Sequence, residues 1–143
     1  MRLYAESSAV LAWLLGEPGG EQVRDLLAAA ESVLASDLTL IECDRVLVRG
    51  AALGELAESA AMERHGALGA AAAHWHLLRV GVDTVERARR AFPKEPVRTL
   101  DALHLASALT AQSIFGEVHM LTLDQRVREN ARLLGMTCLP QQS

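Results

Sequence analysis

The chain has 143 residues and a formal net charge of −4 at pH 7; half of its residues are apolar but only 3% are aromatic. A chain of this length can bury a hydrophobic core of ordinary size without disulfides or a structural metal. Its two cysteines, Cys43 and Cys138, form no C-x-x-C motif, which excludes a disulfide framework and predicts buried thiols in a reducing compartment. We expect one globular domain over residues 1–143.

The sequence gives no indication of a membrane protein. Glu6 interrupts the opening apolar residues, and no later apolar run approaches the roughly eighteen residues that a spanning helix needs. We therefore expect no signal peptide, no membrane partner and a cytoplasmic location. The negative net charge also argues weakly against indiscriminate binding of nucleic acid.

Apolar periodicity in the first half of the chain alternates between strand and helix patterns. Gly16 ends the first helix, and Gly54 ends the third. In order, we predict a strand at 3–5, a helix from Ser7 to Leu15, a helix at 21–30, a strand at 32–36, a helix at 37–53 and a helix at 55–73.

The second half continues this alternation, with a strand at 77–82, helices at 84–92 and from Thr99 to Leu109, a strand at 118–123, a helix at 124–134 and a strand at 136–139. Strands that alternate with helices predict an α/β fold, with a central parallel sheet of about five strands covered by helices on both faces. In such sheets, ligands bind outside the carboxyl ends of the strands, where the strand order reverses.

Four acidic residues stand just after a predicted strand or in the opening turns of a predicted helix: Glu6, Glu42, Asp101 and Asp124. Carboxylates that converge on one crevice repel each other unless a cation neutralises them. Mg²⁺ prefers oxygen ligands, and a bound metal lowers the pKa of water and offsets charge on a phosphate. The pattern predicts a Mg²⁺ or Mn²⁺ site with hydrolytic chemistry.

Structural explanations exist for two of these acids. Asp124 is a natural N-cap for the last long helix. Asp101 lies in the first turn of its helix, where the helix dipole favours a negative charge and Thr99 could supply the capping hydroxyl.

The other two acids differ in how well a structural role explains them. Glu42 could close a capping box with Thr39. Glu6 has the weakest structural explanation, because glutamate is a poor N-cap and a neighbouring serine could cap the helix instead. The competing caps are Asp37 or Ser36 for the helix that carries Glu42, and Ser7 or Ser8 for the helix after Glu6.

Four stretches, taken in order, resemble the motifs of one family: Tyr4 to Ala9 (YAESSA), Leu38 to Glu42 (LTLIE), Leu100 to Ala106 (LDALHLA) and Leu121 to Asp124 (LTLD). Over essentially the whole chain the sequence is similar to PIN domains, and most similar to the VapC-type ribonuclease toxins of toxin–antitoxin pairs. The third motif is the most specific.

The resemblance implies a PIN fold, RNA cleavage with Mg²⁺ or Mn²⁺, and a homodimer. It also implies a cognate antitoxin whose C-terminal segment fills the site. The four acids would be both the metal ligands and the catalytic residues, and the hydroxyl of Ser8 could touch a metal-bound water.

Glu6 departs from the family pattern, in which the first acid is usually aspartate. The extra methylene displaces the carboxylate, and Mg²⁺ demands near-ideal octahedral geometry. Two hypotheses follow. The site is an active one adapted to the longer acid, or the protein is a PIN-fold interaction protein whose metal site is weakened or lost.

Basic residues are concentrated between Arg87 and Arg98, where Glu95 is the one acid. They form either a solvated surface or a surface that binds RNA phosphates beside the acidic crevice. The candidate RNA-binding residues are Arg89, Arg90, Lys94 and Arg98.

Three further interpretations are disfavoured. No glycine-rich loop follows a predicted strand, so the sequence does not indicate a nucleotide-binding module. The histidines at 65, 74 and 76 lack metal-ligand spacing. His104 lies in an apolar helix and is predicted to be a buried, hydrogen-bonded packing residue rather than a general base.

Overall fold

The computed structural model describes residues 1–142 and contains one five-stranded sheet and seven helices in that range. The strands are β1 (Arg2–Ala5), β2 (Ser32–Ser36), β3 (His76–Leu78), β4 (His119–Leu121) and β5 (Cys138–Leu139). The helices are α1 (Ser7–Leu15), α2 (Gly20–Ala29), α3 (Asp37–Ala52), α4 (Glu58–Ala72), α5 (Val82–Ala88), α6 (Thr99–Phe115) and α7 (Gln125–Leu133). None of the helices in residues 1–142 has the length and apolarity to cross a membrane.

All strand pairs are parallel, and the strand order is β3-β2-β1-β4-β5. Leu3 of β1 pairs with Val33 of β2, and Tyr4 of β1 pairs with Met120 of β4. The first three strands run in order from β1 at the centre to β3 at one edge, and the chain then returns to add β4 and β5 on the other side of β1. The order therefore reverses between β1 and β4, which is where this architecture places a ligand. The predicted α/β fold is confirmed.

Successive side chains of the central strand, β1, point to opposite faces of the sheet, so the hydrophobic core lies on both faces. Tyr4 points into a cluster with Phe92, Leu105 and Val127, beneath α5, α6 and α7. Leu3 and Ala5 point to the opposite face, where α1 to α4 cover the sheet. Strands buried on both faces explain why the strand sequences are continuous apolar runs.

The edge strands are shorter than the sequence predicts. β3 ends at Leu78 rather than residue 82, and α5 spans Val82–Ala88 rather than 84–92. β3 pairs with β2 alone through three residues, so its ladder ends when that neighbour ends. β5 likewise pairs with β4 alone, and only through Cys138 and Leu139.

Two predicted helix caps are wrong. Thr99 is the first residue of α6, and Arg98 occupies the N-cap position without a side-chain cap, because the backbone becomes helical immediately after Arg98. Thr39 does not form a capping box with Glu42, since its hydroxyl donates to the carbonyl of Ala5 at 2.9 Å. The alternative cap is confirmed: Ser36 Oγ accepts from the backbone N–H of Leu38 at 3.1 Å.

Gly20 permits a close approach between α1 and α2. A Cβ at this position would lie 2.2 Å from the carbonyl oxygen of Ala12. We expect Gly20→Ala to lower the free energy of unfolding by about 1–3 kcal/mol, because the two helix backbones must separate. Gly66→Ala and Gly69→Ala are the matched controls.

Both control glycines lie inside α4, with open space where a Cβ would stand. Each substitution should raise stability by about 0.5–1 kcal/mol, because alanine favours the helix. Urea denaturation measures all three variants. If Gly20→Ala were as stable as either control, the α1–α2 backbone contact would be refuted.

Candidate active site

The four predicted acids lie at the carboxyl end of the sheet. Glu6 follows β1 directly, Glu42 lies in the second turn of α3, and Asp124 caps α7 just after β4. Asp101 lies in the first turn of α6. Because β1 lies between β2 and β4, the segments that follow these three strands are neighbours at the point where the strand order reverses.

Glu6 is the N-cap of α1, so the expectation that Ser7 or Ser8 caps this helix is wrong. Its Oε2 accepts from the backbone N–H of Ser8 at 2.9 Å, while Oε1 accepts from the hydroxyls of Ser8 and Thr122, both at 2.5 Å. Only 4% of Glu6 is exposed. The glutamate side chain is long enough to cap its own helix and also to contact the turn after β4.

Ser8 and Thr122 connect the turn after β1 to the turn after β4. Ser8 Oγ accepts from the backbone N–H of Leu123 at 3.0 Å, and Thr122 Oγ1 accepts from the N–H of Asp124 at 3.1 Å. Ser8 therefore supports Glu6 and the turn that leads to Asp124. The sequence motif contains Thr122, but its spacing alone does not show that its hydroxyl holds Glu6.

Glu42 is held through one carboxylate oxygen. Its Oε1 accepts from Ser7 Oγ at 2.9 Å and from His104 Nε2 at 2.5 Å. Its Oε2 accepts no hydrogen bond from residues 1–142. Partial burial raises the pKa of Glu42, but His104 and the Ser7 hydroxyl outweigh it and lower the pKa. Glu42 is thus a carboxylate with one oxygen open to the cleft.

Asp101 and Asp124 share one guanidinium. Arg98 Nε lies 3.5 Å from Asp101 Oδ2, and Arg98 Nη2 lies 3.9 Å from Asp124 Oδ2. The other oxygen of Asp124, Oδ1, caps α7 by accepting from the N–H groups of Arg126 and Val127, which confirms the predicted cap. Burial and the charge of Asp124 raise the pKa of Asp101, so the cleft is strongly negative at this point.

His104 is buried and hydrogen-bonded, as predicted, but the sequence did not reveal its contact with Ser7 at 3.1 Å. Ser7, His104 and Glu42 do not form a nucleophilic triad. In such a triad the acid orients the histidine through the nitrogen remote from the serine. Here Glu42 and Ser7 share Nε2, while Nδ1 faces the hydroxyl of Tyr4 at 2.8 Å. Ser7 is also 3% exposed and cannot reach a substrate.

Of the four candidate RNA-binding residues, the structure brings only Arg98 into contact with the acids. Arg89 and Arg90 are exposed and line a shallow groove beside Glu86. Lys94 forms a surface ion pair with Glu129 at 2.8 Å. These three residues therefore lie outside the contacts that Arg98 makes with the acids of the cleft.

Within residues 1–142, no three histidine, cysteine or acidic side chains stand in a group ready to hold a metal ion. Three acids nevertheless have oxygens that could serve as metal ligands: Glu42 Oε2, Asp124 Oδ2 and the Asp101 carboxylate oxygens. None of these oxygens accepts a hydrogen bond from a backbone N–H or a hydroxyl in residues 1–142. Glu6 does not fit as it stands, since both of its oxygens already accept hydrogen bonds. The donor set suits a hard divalent cation, with Glu6 the least available member.

An α/β sheet with acidic residues at its switch point defines a class of proteins that bind a ligand or metal at the strand ends. The model of one family, the PIN domain, matches residues 3–133. The chain belongs to the PIN domain family.

Two relatives from Mycobacterium tuberculosis are similar over nearly the whole chain. Ribonuclease VapC46 is 33% identical over 137 residues, which cover 96% of this chain and 95% of the relative. Ribonuclease VapC35 is 28% identical, with 94% of this chain and 93% of the relative covered.

Solved structures share the fold at lower identity. The M. tuberculosis VapC20 toxin, described as cleaving the sarcin-ricin loop, superposes with a TM-score of 0.63 and 16% identity, covering 94% of this chain and 96% of its own. A chain of a toxin–antitoxin complex from Klebsiella pneumoniae gives a TM-score of 0.65 and 14% identity, with 99% of both chains covered.

The raised pKa of Asp101 predicts that this carboxylate lowers the stability of the metal-free protein. The folded-state pKa lies above the unfolded value of about 3.9, so the ionised form is disfavoured in the native state. The destabilisation is absent below the unfolded pKa, grows as the pH rises through the folded pKa, and is complete above it. In EDTA, Asp101→Asn should therefore unfold at a higher temperature than the wild type at pH 7, and the difference should shrink toward pH 4.

Glu63→Gln is the matched control, because Glu63 is exposed on α4 and forms no ion pair within residues 1–142. Its melting temperature should differ little from that of the wild type at any pH. An Asp101→Asn variant that melts below the wild type at pH 7 would contradict the repulsion between Asp101 and Asp124.

Proposed function

We propose that this protein is an endoribonuclease that depends on Mg²⁺ or Mn²⁺ and acts as the toxin of a type II toxin–antitoxin pair. Membership of the PIN family and similarity to proteins named ribonuclease VapC support the ribonuclease activity. The observation that carries the proposal is that three partly exposed acids at the carboxyl end of the sheet each keep an oxygen that accepts no backbone or hydroxyl hydrogen bond within residues 1–142.

Glu42, Asp124 and Asp101 would hold the metal ion, with Glu42 Oε2 and Asp124 Oδ2 as the available oxygens of the first two. Glu6 is the fourth ligand in this proposal, and it must give up a hydrogen bond from Ser8 or Thr122 to serve. The bound ion would lower the pKa of a water molecule and offset charge on the scissile phosphate. The protein supplies the negative charge that attracts the ion and the hydrogen bonds that fix the carboxylates.

In this proposal the RNA backbone is bound by Arg98 beside the acids and, outside the contacts of the cleft, by Arg89, Arg90 and Lys94. Arg98 has two alternative partners in this proposal: the acids of the cleft and a phosphate of the substrate. In the metal-free protein its guanidinium lies against Asp101 and Asp124. A divalent cation would compete for the same carboxylates and release Arg98, whose side chain is 70% exposed, to a substrate phosphate.

The proposed partners are a cognate antitoxin and a second copy of the chain. The fold shared with a chain of a toxin–antitoxin complex supports the first. Exposed apolar side chains on α3 and α4, among them Ile41, Val48 and Met62, support burial against another protein. The proposed location is the cytoplasm, where RNA is available and the buried thiols of Cys43 and Cys138 stay reduced.

A second candidate function is that of a PIN-fold interaction protein with a weakened metal site. One observation favours it: both oxygens of Glu6 are engaged, and the residue is 4% exposed. Loss of one anionic ligand would lower the affinity of the site for a cation without disturbing the fold.

Cleavage of a mixed RNA pool with Mg²⁺ or Mn²⁺ tests the proposal. We expect metal-dependent cleavage by the wild type and a loss of at least about 100-fold in Asp101→Asn, since removal of a ligand should cost more than the 10–100-fold typical of a residue that only supports one. In a site adapted to glutamate, Glu6→Asp lowers the rate or leaves it about equal. In a degenerate site, Glu6→Asp raises cleavage from near zero.

Glu6→Gln is the matched control, because it keeps the length of the side chain and removes its charge. Its amide oxygen can still accept from the N–H of Ser8. If the wild type and Glu6→Asp both fail to cleave RNA with either metal, the ribonuclease proposal is refuted. If Glu6→Gln cleaves as well as the wild type while Asp101→Asn is inactive, Glu6 is not a ligand.

A further inference from the structure

A chain of buried polar groups runs from the central strand to Glu42. Tyr4 of β1 is fully buried, and its hydroxyl lies 2.8 Å from His104 Nδ1. His104 of α6 is 1% exposed, and its Nε2 lies 2.5 Å from Glu42 Oε1. Ser7 completes the group by donating its hydroxyl hydrogen to the same Glu42 oxygen at 2.9 Å.

The hydrogen atoms shared by these four side chains can be placed by counting donors and acceptors. The single hydrogen of Ser7 is donated to Glu42, so Ser7 Oγ can only accept from His104, and the Glu42 carboxylate also only accepts. Both neighbours of Nε2 are therefore acceptors, and Nε2 must carry a hydrogen.

The other end of the imidazole is fixed by Tyr4. Burial raises the pKa of Tyr4 far above its usual value, so the hydroxyl keeps its hydrogen. It can donate that hydrogen to Nδ1, which satisfies the Tyr4 hydroxyl and both ring nitrogens with the ring hydrogen on Nε2. Buried polar groups with complete hydrogen bonds are rigid, because any rotation leaves an unpaired group away from water.

We propose that Tyr4 and His104 form a positioning relay that fixes the rotamer of Glu42, so that Oε1 is retained by the protein and Oε2 alone is presented to the metal ion. His104 acts through Glu42 and touches neither metal nor substrate, which makes it a positioning residue. This inference rests on the proposed function, since it assigns the supporting contacts of the same metal site.

The geometry distinguishes this role from packing alone. The rings of Tyr4 and His104 meet edge-on, with centroids 6.0 Å apart at 69°, and a leucine could fill comparable space. A leucine would remove the partner of the Tyr4 hydroxyl at Nδ1 and one of the two donors to Glu42 Oε1, leaving only Ser7 on that oxygen. If His104 only filled space, its replacement would change stability and leave the affinity for metal unchanged.

The test is isothermal titration calorimetry of the full chain with Mn²⁺, combined with ¹⁵N NMR of the histidine ring. We expect His104→Leu to weaken Mn²⁺ binding by about 10–100-fold, as for other residues that orient a ligand. His104→Gln, whose amide can donate to Glu42, should recover much of that loss. Tyr4→Phe should have a smaller effect and keep the Nε2–H form, because Glu42 and Ser7 still face Nε2 while only Nδ1 loses its partner.

Thr110→Val is the matched control, because Thr110 lies on the same helix and bonds to Ala106 and Thr84, away from the site. Wild-type protein that does not bind Mn²⁺ would refute the proposed metal site, whereas the NMR signature of the relay would still be measurable. Equal Mn²⁺ affinity in His104→Leu and the wild type would overturn the positioning role alone, and so would binding by His104→Gln as weak as that of His104→Leu. An Nδ1–H tautomer in the wild type would overturn the hydrogen placement and the relay with it.

Discussion

The hydrogen bonds between Glu6, Ser8 and Thr122 join the two strand-to-helix turns on which the cleft depends. β1 and β4 are neighbours in the sheet but far apart in sequence, and the helices that follow them, α1 and α7, pack on opposite faces of the sheet. Without cross-links at their carboxyl ends, the turns after these strands would be joined only by the ladder that ends at Ala5 and Leu121. The carboxylate of Glu6 supplies that connection, and it is thereby withdrawn from solvent.

The cleft combines two kinds of carboxylate. The Glu6 carboxylate accepts three hydrogen bonds, whereas Asp101 is disfavoured as an anion by burial and by Asp124. Arg98 offsets part of that repulsion, but it is an exposed side chain, and solvent weakens its interaction. A negative site stabilised by one exposed guanidinium is well suited to exchange that group for a divalent cation.

Much of the fold follows from the sequence because the signals are local. Apolar runs bounded by Gly16 and Gly54 mark β1, β2 and their helices, and the four acids were placed at strand ends from order alone. The contacts that hold those acids were not predictable in the same way. Tyr4 and His104 are 100 residues apart, and Ser8 and Thr122 are 114 apart, so no local pattern indicates that they touch.

The errors have the same origin. Thr99 and Thr39 have the residue type of helix caps, but the backbone enters α6 after Arg98, and the hydroxyl of Thr39 bonds to Ala5 on a neighbouring strand. Glutamate is a poor cap in general, yet Glu6 caps α1 because Thr122 holds its carboxylate from across the sheet. Tertiary contacts therefore decide each of these cases against the local preference.

The most direct test of the metal site is anomalous X-ray scattering from crystals grown with Mn²⁺. We predict an anomalous peak within coordination distance, about 2.0–2.3 Å, of oxygens from Glu42, Asp101 and Asp124, with Arg98 displaced from the two aspartates. A peak that lies elsewhere, or full Mn²⁺ occupancy at another site with Arg98 still bound to Asp101 and Asp124, would contradict the account.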